Sequence, residues 1–139
     1  MSKQDSIKIQ RKCKTYIRRV SYVTELLQGK WKIQILCAMR SEPVRLSQLT
    51  RLIPSASKKA LRASLRSLEA AQIVVRRDLS GIVLHVEYDF ADDMRVTVCS
   101  LLDQLSQWGE TLQGKDKVPD PSRPRTGVTD SLNSVERID

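Results

Sequence analysis

The chain has 139 residues, one histidine and three cysteines, with 24 Lys and Arg against 16 Asp and Glu for a formal charge of +8. This is the length of one domain with its own core; no apolar run approaches the ~20 residues of a membrane span, and the polar, basic N-terminus lacks a signal core, so no membrane partner and a cytoplasmic protein are expected. Cys13, Cys37 and Cys99 are too scattered for a disulfide framework or zinc site, and His85 alone supplies no multi-histidine metal centre, so no enzyme and no cofactor are expected.

The charge is polarised along the chain. Residues 1–19 hold seven Lys or Arg against one Asp, and residues 54–77 hold six against one Glu. From Asp78 to Gly114 the sign reverses, with Arg95 set against seven carboxylates. Such a chain can offer one face to a polyanion and keep the other for a different partner.

In chain order, residues 1–19 read as a basic segment that contributes to a dimer interface. "RVSYVTELLQGKWKIQILCAMRSEP" then reads as two helices broken at Gln28 and Gly29, with Val20, Val23, Leu26 and Leu27 on the first. Trp31, Ile35, Ala38 and Met39 recur on the second, which Pro43 stops. "RLSQLTRLIP" gives a short helix with Leu46, Leu49, Leu52 and Ile53 inward, and "SASK" a turn. Ser57 is placed as N-cap of the next helix, whose Leu61, Leu65 and Leu68 follow at i, i+4 and i+7. At ~100° per residue, Lys59, Arg62, Ala63 and Arg66 fall on the opposite side.

"IVVRR", the turn "DLSG" and "IVLHVEYDF" read as a β-hairpin. Its second strand is expected over residues 82–90, with Leu84, Val86, Tyr88 and Phe90 on one face and His85, Glu87 and Asp89 on the other, which makes His85 an exposed strand residue. A last helix, residues 91–114, places Met94, Val98, Leu101, Leu105, Trp108 and Leu112 at alternating spacings of four and three, a heptad seam for a second copy. Cys37 and Cys99 are expected in helices with packing roles. Residues 115–139, rich in Pro, Ser, Asp and Arg, read as a disordered tail.

The expected fold is mainly α with a small β-hairpin wing, a winged helix-turn-helix over residues 20–90 with terminal helices for dimerisation. Coincidence of a basic helix face with a basic strand end points to duplex DNA. A major groove admits one helix, so the candidate contacts are Ser55, Ser57, Lys58, Lys59, Arg62, Ala63 and Arg66, with Arg76 and Arg77 as phosphate anchors of the wing, strand alternation letting only one of them point outward on each side. Arg62, nearer the helix N-terminus, is expected to read bases while Arg66 holds backbone. The wing tip at Leu79, Ser80 and Gly81 is expected near the minor groove or the backbone. A rival reading makes the same basic face a dock for an acidic protein.

The pieces "GKW" (29–31), "LSQLTRLIPSAS" (46–57), "LRASLRSLEAAQIVVRR" (61–77), "VEYDFAD" (86–92) and "LLDQLSQWGETL" (101–112) resemble the HxlR-type winged-helix transcriptional regulators. The resemblance implies a bacterial homodimer that binds a palindromic operator and dimerises through its terminal helices. Many members carry a sensing cysteine before the first helix; counted back from Trp31, that position is Arg18 here. Cys13, among Arg11, Lys12 and Lys14, is the alternative redox sensor, and a small-molecule effector is equally compatible. "GIVLH" replaces the family's proline-rich approach to "VEY", which implies a reshaped wing.

Overall fold

A computed structural model describes residues 2–116; the expected tail from residue 117 onward lies outside the described residues. Its elements are α1 (Lys3–Leu26), α2 (Lys32–Ala38), α3 (Leu46–Leu52), α4 (Lys58–Ala70), β1 (Val74–Asp78), β2 (Val86–Phe90) and α5 (Arg95–Asp116). The chain divides into two compact units, one ending at Leu101 and the other beginning at Leu102.

α1 starts where Ser2 accepts from the Asp5 amide, and Asp5 adds negative charge to the first turn, where the helix dipole favours it. The helix runs unbroken through residues 19 and 20, so the basic segment and the first expected helix are one element. It ends at Leu26, and Gly29 takes φ +122°, a backbone conformation open to glycine that makes the expected break.

The core of the first unit gathers Ile35, Leu36 and Met39 of and after α2, Leu49 and Ile53 of and after α3, Leu61, Leu65 and Leu68 of α4, Val74 of β1 and Phe90 of β2. α4 packs on α2, α3 and β1 through its leucine stripe. Leu52, expected inward, is exposed. Each step of three residues rotates a helix position by about −60°, so Leu52 drifts about 120° from Leu46 while Ile53 stays on the buried line.

α4 ends in a Schellman motif. The Ile73 amide donates to the Leu68 carbonyl at 3.0 Å and the Gln72 amide to the Glu69 carbonyl at 2.9 Å. Ile73 and Leu68, the pair that such a motif brings together, are both buried. The residue in the left-handed position is Gln72, with φ +62°, where glycine is usual.

β1 and β2 pair antiparallel from Val74↔Phe90 to Asp78↔Val86. Val44 adds a bridge on the free side of β2, exchanging backbone hydrogen bonds with Tyr88 at 2.9 and 2.8 Å. The second strand therefore begins at Val86 and not at Ile82; residues 79–85 form an open tip. Local side chains compete for its backbone: the Ser80 amide donates to Asp78 Oδ1 at 2.9 Å and the His85 amide to Ser80 Oγ at 3.0 Å. His85 is thus a tip residue, and its Nε2 lies 2.7 Å from Glu87 Oε1.

Asp89, expected on the same face as His85, is 6% exposed. Its carboxylate accepts from Arg95 Nη2, from Arg77 Nη1 at 3.4 Å and from the Phe90 amide at 2.8 Å. Arg95 also donates to the Arg40 carbonyl at 3.4 Å and covers the Phe90 ring at 5.5 Å. α5 begins at this arginine, later than the expected residue 91, after a turn closed by the Met94 amide on the Ala91 carbonyl.

A non-glycine residue in the left-handed region carries strain that glycine avoids. Gln72→Gly is expected to raise stability by about 0.5–1 kcal/mol, the relief being partly offset by the freer unfolded chain. The check is a higher urea midpoint with unchanged slope; an unchanged or lower midpoint would show that the strain at this position does not exceed the entropic cost of glycine.

Candidate nucleic-acid interface

The leucine stripe that seats α4 decides which side chains it offers to solvent. Lys58, Lys59, Arg62, Ala63 and Arg66 are all exposed, as are Ser55 and Ser57 in the turn before the helix. Ser57 caps α4 as expected, its hydroxyl oxygen accepting from the Ala60 amide at 3.1 Å. A capping hydroxyl accepts through a lone pair, so its own proton is still able to donate to an anion.

Beside α4 a concavity of about 320 Å³ opens between the start of α3, the first turns of α4 and the hairpin. Arg45, Lys58, Arg62 and Arg76 line it with Ser47 and Tyr88, and no carboxylate is among its lining residues. Four cations around one solvent-filled space repel one another unless an anion joins them, which suits the phosphates of a polyanion. Arg45 and Ser47 escaped the sequence reading. The available signal was their place at the start of a short helix just before the turn, but only the fold brings them to Arg76, 29 or more residues away.

The neighbouring arginines of β1 part company. Strand alternation sends Arg76 to the concavity and Arg77 to the other face, where its guanidinium meets Asp89 at 3.4 Å and Asp92 at 4.0 Å. The sequence treats both as phosphate anchors; the geometry brings only Arg76 to the α4 cations, because the pleat turns Arg77 to the opposite side, where the carboxylates meet it. At the end of the strand, hydrogen bonds from Ser80 hold the Asp78 carboxyl below the usual carboxylate range, with the Arg76 charge acting in the same direction. That support of the tip is therefore present at neutral pH and is lost only as the pH falls through the depressed value.

The other sequence candidates lie elsewhere. Met94 precedes α5, Val98 and Leu101 are partly buried on it, and Leu105, Trp108 and Leu112 are exposed. Cys13 is exposed on α1 and Cys99 half-buried on α5. Cys37 sits on α2 as an exposed residue and not a packing one, its thiol pushed up by partial desolvation against the lowering charge of Arg40.

Residues 26–117 match the family described as HxlR-like helix-turn-helix. The uncharacterised HTH-type transcriptional regulator YtcD of Bacillus subtilis (strain 168) is 35% identical over 96 residues, 69% of this chain and 75% of that protein. The crystal structure of a YtcD superposes with a TM-score of 0.63 at 32% identity, covering 69% of this chain and 97% of that one. The reduced form of the redox regulator HypR gives the same TM-score at 30% identity, covering 67% and 91%.

The different surroundings of the two β1 arginines separate their effects on stability. Arg77→Ala removes a partner of the buried Asp89 carboxylate and is expected to cost about 1 kcal/mol, moderated by the exposure of the guanidinium. Arg76→Ala is expected to stay within about 0.5 kcal/mol of wild type. Equal thermal or urea midpoints for the two variants would contradict this division.

Proposed function

The chain belongs to the HxlR-like helix-turn-helix family, a DNA-binding transcription regulator of winged-helix type, and on that premise we propose that it binds a palindromic duplex operator as a homodimer. The observation that carries this reading is the junction of two basic surfaces. The outward face of α4 runs directly into the cation-lined concavity at the root of the wing, so one helix is flanked by the groups that would hold the phosphates beside it.

Within that reading the roles of the arginines follow from their angular positions. Lys59, Ala63 and Arg66 lie within about 50° of the direction opposite the leucine stripe, while Arg62 lies about 90° from it, on the flank where the concavity begins. Arg66 and Lys59 are thus directed at base edges, Ala63 permits close approach or contact with a thymine methyl, and Arg62 joins Arg45, Lys58 and Arg76 on phosphate. This reverses the assignment that distance from the helix N-terminus suggests for Arg62 and Arg66.

The homodimer is supported by apolar surface that one chain leaves in water. On α1, Ile9, Cys13, Tyr16, Val20 and Val23 alternate at spacings of four and three, and all are exposed. On α5, Leu105, Trp108 and Leu112 continue the same spacing and are exposed too. Heptad stripes of this kind are covered by another helix, and a two-fold dimer presents two copies of α4 to two symmetry-related half-sites.

Selection of bound sequences from a random duplex pool supplies the site for the decisive measurement. Arg66→Ala is expected to lose about 1–3 kcal/mol on that site and to relax preference at one base position. Arg62→Ala is expected to weaken all duplexes and to flatten the salt dependence by about one unit. Duplex binding by both variants indistinguishable from wild type would turn the face over to an acidic protein partner.

A charge placed in the apolar stripe of α5 costs several kcal/mol unless neutralised. Leu105→Asp is expected to sediment as a monomer at concentrations where wild type is a dimer. A variant as dimeric as wild type would remove that stripe from the interface.

A further inference from the structure

The wing tip differs in kind from the surface at its root. Leu79, Ile82, Val83 and Leu84 are all exposed, the last three at 106%, 74% and 75%. Residues 79–85 contain no Lys or Arg, and the flanking side chains Asp78 and Glu87 are acidic. Such a tip has no permanent cation with which to neutralise a phosphate, and its one histidine, His85, faces Glu87. The phosphate-seeking groups lie at the root, where Arg76, Arg45, Lys58 and Arg62 share the concavity.

The tip is nevertheless held in place. Leu79 donates its amide to the His85 carbonyl at 2.7 Å, and Ser80 Oγ accepts from the His85 amide at 3.0 Å, closing the base of the loop. Arg45 Nη2 donates to the Leu84 carbonyl at 3.2 Å, tying the descending arm to the start of α3. Leu84 itself lines the cationic concavity. The apolar point is therefore continuous with the basic surface and projects from it at a fixed place.

We infer that the wing tip is an apolar wedge for the minor groove of duplex DNA, with Ile82 and Val83 as the inserted side chains and Arg45 as the residue that positions them. The inference rests on the duplex-binding reading above and adds to it a mode of contact. A minor groove about 6 Å wide takes a side-chain edge and not a helix, and its sugar walls and base edges offer apolar surface between the phosphate rows. Phosphates gripped at the root bring those walls to the tip. Apolar side chains pressed into base steps unstack them and bend the duplex toward the major groove by some 20–90°, which brings more backbone against the protein. Sites with flexible pyrimidine–purine steps at the wing position are then preferred without any hydrogen bond to a base.

The experiment uses the full chain and a duplex recovered by the random-pool selection, labelled with a donor and an acceptor at its two ends. Wild type is expected to shorten the end-to-end distance on binding. Ile82→Ser with Val83→Ser, at positions that bury nothing in the core, is expected to lose the bend and about tenfold or more in affinity. Its salt slope should equal wild type, because apolar contacts release no counterions. Arg45→Met is expected to reduce the bend as well, with Arg45→Lys restoring less than half because a single ammonium cannot serve both Leu84 and the concavity. Arg76→Ala is expected to flatten the salt slope while keeping the bend. A double serine variant that bends and binds as wild type does would overturn the wedge, and so would an unbent duplex in the wild-type complex. Absence of salt-dependent duplex binding by wild type would instead sink the duplex reading on which the wedge depends.

Discussion

Burial of one leucine stripe organises the rest of this molecule. Leu61, Leu65 and Leu68 are essentially inaccessible to water, and a helix has no freedom to roll once three such side chains are seated. Whatever lies opposite them is committed to solvent. On α4 the opposite positions are Lys59, Ala63 and Arg66, so the hydrophobic effect, indifferent to nucleic acid, is what orients the basic face. The Ser57 cap at one end and the Schellman motif at the other fix where that face starts and stops.

The second constraint is the Asp89 carboxylate. A buried carboxylate is tolerated only with partners, and here Arg77, Arg95 and the Phe90 amide supply them. The cluster ties β1, β2 and the first turn of α5 within the first unit. It also has a consequence for the neighbouring surface. Strand alternation puts Arg77 on the Asp89 side and Arg76 on the other, beside Lys58 and Arg62, and the carboxylate gives Arg77 a partner where it stands. A single buried acid thus engages one of two adjacent arginines, while the other stays available to a ligand.

The wing joins these two parts in function. Its root shares cations with α4 and the start of α3, while its tip is uncharged and apolar. Affinity from phosphate neutralisation and selectivity from deformation of the duplex can then reside in different residues of one hairpin, linked by the Arg45 bond to the Leu84 carbonyl. Replacing the tip with lysines would merge the two and make the wing another backbone grip.

Much of this was legible without coordinates, and for definite reasons. Ser57, the i, i+4, i+7 leucines and the outward arginines are local patterns set by helical periodicity, and they hold because burial and periodicity demand the same thing. Gly29 as a break and a β-hairpin after α4 were equally readable, although Asp78, assigned to the turn by its sequence, extends the first strand. Leu52 departs from the expectation because a run of three-residue steps drifts off the buried line, which Ile53 keeps. The second strand is shorter than the strand propensity of "IVLH" suggests, because Asp78 and Ser80 capture backbone amides and open the tip. By itself the sequence determined what periodicity and capping determine: the helices from residue 20 onward, their apolar faces, and the family to which their order belongs, but not that the basic segment before residue 20 continues the first helix. Only the tertiary structure decided that Asp89 is buried, that Arg77 pairs with it while Arg76 lines a concavity with Lys58 and Arg62, and that Arg45 lines the same concavity and bonds the Leu84 carbonyl. Those are pairings between side chains distant along the chain, and no local pattern carries them, because their energy exists only once the core has brought the elements together.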